Sequence, residues 1–401
     1  MGDAMQREWL CSAQLVLPDR VQPGCLRIEG GVITDITGAP GLEEDAIYTD
    51  LGGQYLAPGF VEIHSHGAGG HDFMDGTPQA FLRAAETHLR HGVTTLFPTS
   101  VAAPTERIMA FLDAFQQAKA LNIKGPELPG VHLEGPYLNT EMRGAIDPRY
   151  IRDPDPAEIE ALLERANGCV RRWTAAPELP GALAFVDALV RRGILPSIGH
   201  TCANYAVAEE AFRHGCTHYT HLYSAMSTIT RVKGFRVTGA LESAFILEEA
   251  TVEVIADGCH LPLELLRYVW RAKGADRVCL TGDSMRCAGT DAAASILGPL
   301  EDGLPVMIED GVAKLPDRSA FAGSVALADR LLRTAHLGAG IPLHEAVRMM
   351  TLTPARVMGL DSAIGSIEAG KRANLAVFGD GIAMGGVMVG GEWRGFPTKK
   401  N

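Results

Sequence analysis

No CxxC pair occurs among the eight cysteines (Cys11, Cys25, Cys169, Cys202, Cys216, Cys259, Cys279 and Cys287), so neither a zinc knuckle nor a disulfide framework is indicated. Buried thiols are the expectation. Positive charge is also scarce: Lys and Arg total 36 against 48 Asp and Glu, a formal net charge of -12 that opposes non-specific nucleic-acid binding. Any anionic ligand must therefore meet a locally positive pocket. No apolar run is long enough to span a bilayer, and no charged leader precedes an apolar stretch at the N-terminus, so no membrane partner and a cytoplasmic location are expected. Internal repeats and low-complexity blocks are missing too. What remains is 401 residues with 46% hydrophobic and 21% charged content, enough for one large core and a small accessory domain.

From Leu10 to Leu56 the pattern is short and β-like, at residues 13–17, 25–28 and 31–36, punctuated by Pro and Gly. It returns at residues 373–378 and 386–392. Both termini are thus expected to build one small β-sandwich domain, from residues 1–57 and 363–401. Between them, in residues 58–362, apolar strands at 92–99, 129–134, 172–175, 195–200, 217–221, 251–256 and 278–281 alternate with amphipathic helices at 78–91, 105–120, 156–166, 205–214 and 263–272. Such alternation implies a parallel sheet. Counting the strand that ends at His64, about eight strands favour an α/β fold of the (β/α)8 TIM-barrel type over an open doubly wound sheet.

The segment Pro58-Gly59-Phe60-Val61-Glu62-Ile63-His64-Ser65-His66-Gly67 carries the first chemical signal. Residues two apart in an extended chain share a face, so His64 and His66 can offer imidazole nitrogens to one divalent ion while Ser65 points elsewhere. Further ligand-grade residues close successive strands: Glu134, His200, His221 and Asp283. Each has a bland reading, Glu134 as a helix cap, His200 as a turn residue, Asp283 as an N-cap. A barrel instead gathers all strand ends on one rim, where catalytic groups of such barrels converge. Nitrogen and carboxylate donors suit zinc, iron or manganese better than calcium, and the set suffices for one or two ions if one carboxylate is shared. A divalent ion there lowers the pKa of water to about 7 and polarises a carbonyl, as hydrolysis of an inert amide requires. Asp283 is the natural proton carrier.

Val131-His132-Leu133-Glu134-Gly135-Pro136-Tyr137-Leu138-Asn139, Gly199-His200-Thr201, Thr220-His221-Leu222-Tyr223-Ser224-Ala225-Met226, Asp257-Gly258-Cys259-His260 and Thr281-Gly282-Asp283 together resemble the N-acetylglucosamine-6-phosphate deacetylase family of the amidohydrolase superfamily. The closing stretch Gly365-Ser366-Ile367-Glu368-Ala369-Gly370-Lys371-Arg372-Ala373-Asn374-Leu375 is similar to that superfamily's last signature. The resemblance implies metal-dependent release of acetate from an N-acetylated amino sugar phosphate by a homodimer. It implies that Glu134, His200 and His221 hold the principal metal, that His64, His66, Asp283 and a bridging Glu134 hold a second, and that Asp283 acts as general base and then general acid. Substrate contacts fall to Ala145, Ser224, Ala225, Arg231, Arg236 and His260.

Several positions depart from the family pattern. Ile146 stands where many members carry a carbonyl-polarising His, and an isoleucine donates no hydrogen bond. The second metal is expected to supply part of that role. Ser224 replaces the usual Asn, and Arg231, Lys233 and Arg236 replace the usual phosphate motif. Those cations read either as a rebuilt anion pocket or as a solvated basic loop. His132 is expected to support the metal ligands, and His71, His88, His91, His214, His218 and His336 to be structural or surface residues. Two rival readings stand beside the deacetylase: another amidohydrolase acting on a different N-acetylhexosamine or an N-acyl amino acid, and a non-catalytic barrel. Many amidohydrolases use a carboxylated lysine as bridging ligand, where this chain offers Glu134. No metal ligand is lost, as a non-catalytic relative would show.

Overall fold

The computed structural model describes residues 7–394 apart from residues 42 and 44. Eight parallel strands run in chain order around the central sheet: β1 (Phe60–Ser65), β2 (Val93–Ser100), β3 (Val131–Glu134), β4 (Val170–Ala175), β5 (Leu195–Ile198), β6 (His218–Tyr219), β7 (Thr251–Ile255) and β8 (Val278–Thr281). Every residue of β2 and of β8 is buried, the expected state of parallel strands covered by helices outside and by side chains within. Closure between β1 and β8 uses the strand ends. Asp283 N donates to the His64 carbonyl at 3.1 Å and His66 N to the Ser284 carbonyl at 2.8 Å. Below them the Glu62 carboxylate accepts from Thr281 Oγ1 at 2.5 Å and from Gly282 N at 3.1 Å.

The helices start where the sequence supplies caps. Thr77 and Asp155 cap α1 (Pro78–Arg90) and α3 (Pro156–Ala166), each with Pro in the first turn, and Asn204 caps α5 (Tyr205–Arg213). These three, α2 (Thr105–Leu121) and α7 (Leu263–Lys273) lie within one residue of the expected helices at each end. Five α-helices among the described residues were not anticipated: α4 (Ala182–Arg191), the short α6 (Ala240–Ile246), α8 (Ala328–Arg333), α9 (Leu343–Arg348) and α10 (Leu352–Val357). Among the described residues no helix is long and apolar enough to cross a membrane.

A mixed eight-stranded sheet takes strands from both ends of the chain. Tyr55–Pro58 is the joint: it runs parallel to Arg7–Val16 and antiparallel to Leu375–Phe378. The sheet curls over a core of Leu10, Leu15, Leu26, Ile28, Leu56, Leu375, Val377 and Met388, as a sandwich does. Its far ends meet at two turns, where a Cβ on Gly31 would lie 2.5 Å from the Gly390 carbonyl oxygen, with Gly31 at φ +80. Residues 1–6 and 395–401 of the expected terminal segments lie outside the described residues. Pro58 leads directly through Gly59 into β1, the strand that carries His64 and ends just before His66.

Candidate metal centre and active site

Six side chains converge on one end of the barrel. His64 comes from β1 and His66 follows it; Glu134 ends β3; His200, His221 and Asp283 follow β5, β6 and β8. Alternation does the placing at β1, since Ser65 Oγ turns away to His88 Nε2 at 2.8 Å and Ser284 Oγ at 2.9 Å. Glu134 is the hub. Its Oε1 lies 3.1 Å from His200 Nε2, 2.9 Å from His221 Nε2 and 3.6 Å from His64 Nε2, while Oε2 lies 3.2 Å from His66 Nε2. Asp283 Oδ1 adds contacts of 3.1 Å to His66 Nε2 and 3.5 Å to His64 Nε2. The donor atoms therefore fall into two sets, His64–His66–Glu134 and Glu134–His200–His221, which share Glu134.

His200, His221 and Asp283 all have positive φ (48, 29 and 43), a left-handed backbone that costs energy outside glycine and is tolerated at functional sites. Gly199 makes room for the approach of His200, because a Cβ there would sit 2.7 Å from Thr174 Cγ2.

The donor chemistry fits a cation. His64 Nε2 and Asp283 Oδ1 are buried without hydrogen-bond partners, and the His200 and His221 Nε2 atoms lie 3.1 Å apart. His200 Nδ1 donates to the Met142 carbonyl at 2.8 Å, so its Nε2 is the free lone pair. Burial pushes the Glu134 and Asp283 carboxyls up, but the facing histidines overcome it and hold both below the ordinary range. Burial likewise opposes charge on His66, yet Asp283 and Glu134 lift it to about 9. Two carboxylates thus make the cluster attractive to positive charge.

The amidohydrolase family model matches residues 55–394. The N-acetylglucosamine-6-phosphate deacetylase of Haemophilus influenzae is 33% identical over 368 residues, covering 92% of this chain and 93% of its own. The chain belongs to the amidohydrolase family, in its N-acetylglucosamine-6-phosphate deacetylase group. The N-acetylgalactosamine-6-phosphate deacetylase of Escherichia coli is 30% identical over 92% of this chain and 94% of its own. A mutant of the Mycobacterium smegmatis N-acetyl-D-glucosamine-6-phosphate deacetylase, solved in complex with N-acetyl-D-glucosamine-6-phosphate, is 34% identical. It superposes with a TM-score of 0.87, covering 97% of this chain and 99% of that one.

In this deacetylase-family chain a cavity of about 210 Å³ opens above the ligand set. Ala145, Ser224, Ala225 and His260 line it beside His66, Glu134, His200, His221 and Asp283, so these sequence-derived substrate residues come together. Ile146 also lines it. His260 is held by Asp257, whose Oδ2 accepts from its Nδ1 at 2.9 Å, and its ring meets Phe321 edge-on at 4.8 Å. Arg231 and Arg236 are placed differently. They face each other across an exposed hairpin, Thr230–Val232 with Phe235–Val237, and neither is among the residues lining the cavity.

His132 donates or accepts at Thr174 Oγ1 (2.7 Å) and packs edge-on against the His64 ring at 4.7 Å. It is outside both ligand sets, as is His71. His91 pairs with Asp329 and His214 with Asp187, while His336 bonds the Ile341 carbonyl. Sequence reasoning missed Glu253 and Arg172, both fully buried inside the barrel beneath the ligands. Glu253 Oε1 accepts from His64 Nδ1 at 2.6 Å, and Arg172 Nη1 donates to Glu253 Oε2 at 2.6 Å. The only signal was charge inside otherwise apolar strands, Glu253 in Thr251–Ile255 and the pair Arg171-Arg172 in Val170–Ala175.

Proposed function

We propose that the chain removes acetate from N-acetylglucosamine-6-phosphate, giving glucosamine-6-phosphate, with His64, His66, Glu134, His200, His221 and Asp283 as the metal ligands. The observation that carries this reading is the pair of donor sets that share Glu134, with His66, Glu134, His200 and His221 lining the cavity. When bound, a divalent transition metal, zinc by its preference for nitrogen donors with iron or manganese as substitutes, polarises the acetamide carbonyl and acidifies the attacking water. One or two ions fit the donor count.

The remaining work falls to side chains. Asp283 Oδ1, buried and in contact only with the His64 and His66 rings, takes a proton from the water as its oxygen bonds to the carbonyl carbon. It returns that proton to the sugar nitrogen as the C–N bond breaks, so acetate and the free amine leave. His260, with Nδ1 committed to Asp257, offers Nε2 to the sugar. Ser224, Ala145 and Ala225 shape the wall against which the ring rests.

Phosphate recognition by Arg231 and Arg236 is supported by their register. Like charges directly opposite on a two-stranded ribbon repel, and an anion between them reverses the sign. The other face of the hairpin exposes Val232 and Phe235, and Ile229 just ahead of it is exposed too, an apolar surface that supports a homodimer. All eight cysteines are free thiols, which suits the reducing cytoplasm. The test is acetate release by metal-assayed enzyme from N-acetylglucosamine, N-acetylgalactosamine and N-acetylmannosamine, each with and without 6-phosphate. Preference for N-acetylgalactosamine-6-phosphate would establish the second reading, which the Escherichia coli relative favours. No release from any of them would refute the sugar assignment.

A further inference from the structure

We infer that Glu253, anchored by Arg172, is a positioning residue that ties the two halves of the ligand set together from inside the barrel. The inference rests on the metal reading of His64 and His221. Above the rim Glu134 joins the two sets; below it a single oxygen of Glu253 does so. Oε1 accepts from His64 Nδ1 at 2.6 Å and from the backbone N–H of His221 at 3.1 Å.

Each bond has a chemical consequence. A carboxylate oxygen only accepts, so His64 must carry its hydrogen on Nδ1, and Nε2 keeps the lone pair that faces Glu134 and Asp283. His221 has its backbone in the left-handed region at φ 29, and the same oxygen pins that N–H. One atom thereby sets the tautomer of one ligand and the backbone of another.

Glu253 can do this only if it is itself fixed, and Arg172 does the fixing. The guanidinium crosses the barrel interior. Nη1 donates to Glu253 Oε2 at 2.6 Å, Nη2 to Thr220 Oγ1 at 2.8 Å and Nε to Ser197 Oγ at 2.9 Å, so β4, β5, β7 and the residue that follows β6 are held in one fork. A buried ion pair is poor value as a device for stability alone, because desolvating two charges offsets most of their attraction. Its placement under the ligands gives it another use. Substitution by the isosteric Gln forces a conflict: an amide N–H must face either Arg172, which only donates, or His64 Nδ1, which then loses its hydrogen to Nε2.

The test uses the full chain, zinc alone as probe, and competition with a chromophoric chelator. Glu253→Gln is expected to weaken zinc binding about 10- to 100-fold with its circular dichroism unchanged. In a His64→Ala background the same substitution is expected to add only a small further loss, because most of its effect runs through that imidazole. An equal loss in both backgrounds, or full affinity in Glu253→Gln, overturns the proposal. If Glu253→Gln does not fold, ¹⁵N NMR of the zinc-loaded wild-type chain decides, with the His64→Ala spectrum as assignment. A hydrogen on His64 Nδ1 supports the proposal, and zinc bound through Nδ1 overturns it. A wild-type chain that takes up no zinc would instead sink the metal reading on which both proposals stand.

Discussion

Asp283 sits where the chain can least afford an idle carboxylate. Its Oδ1 is buried, has no hydrogen-bond donor beyond the histidine contacts, and lines the cavity. General acid–base groups contribute roughly 10²- to 10⁴-fold, so Asp283→Asn should lower kcat for acetate release by about that factor with KM little changed. A loss under about 10-fold would remove Asp283 from the proton route. Ile146 makes a complementary point. It lines the same cavity and has no hydrogen to donate, so the proposed function assigns polarisation of the carbonyl to an ion held at the half-site of His64 and His66. Replacing both histidines with Ala should collapse kcat, and near wild-type turnover by a chain holding one metal would show that the second ion is dispensable. These ligands were legible because each ends an apolar strand with a donor. Glu253 and Arg172 were not: parallel barrel strands are apolar on both faces, so period two does not separate inside from outside, and a charged residue there reads as a surface position.

Among elements, the hairpin after β6 concentrates the unsettled chemistry of the sequence. Strand alternation puts Arg231 and Arg236 on one face and Val232 and Phe235 on the other. Replacing both arginines with Ala should raise KM for the 6-phosphorylated sugar about 10-fold or more and leave the unphosphorylated sugar unaffected. An unchanged KM would mean that the hairpin does not read phosphate. The helices α1, α3 and α5 were readable in advance, because Thr77, Asp155 and Asn204 cap segments whose apolar residues recur with helical spacing. The helix α4 escaped notice although its buried Ala182, Phe185, Val186 and Leu189 follow that spacing, since Pro180-Gly181 before it reads as loop. The three-stranded sheet of Ala294–Leu297, Leu304–Glu309 and Val312–Lys314 was also missed. Its strands are only partly buried, which leaves little alternation to detect.

For the whole molecule, a barrel with a polar interior trades acid tolerance for ligand placement. His88 and His218 are fully buried and neutral: burial, then the charge of His91, pushes His88 down to about 3, and burial, then Arg172, pushes His218 to about 4. The unfolded chain protonates both near 6.5, so below that pH it binds protons that the folded chain does not. Folded stability is complete above about 6.5 and falls toward the folded values, at roughly 1.4 kcal/mol per pH unit for each imidazole. Glu62 works in the opposite sense. Burial raises its carboxyl to about 7, so the folded chain takes up this proton first and gains stability as pH drops from about 7 toward the ordinary carboxylate range. A single pH–stability curve would mix the two effects, and a difference between variants separates them. Denaturant midpoints at fixed zinc should show wild type losing stability relative to His88→Gln by about 1.4 kcal/mol per pH unit between pH 6.5 and 5. Parallel curves for the two proteins over that window would mean that His88 is protonated in the folded state and is not the neutral imidazole whose Nε2 lies 2.8 Å from Ser65 Oγ.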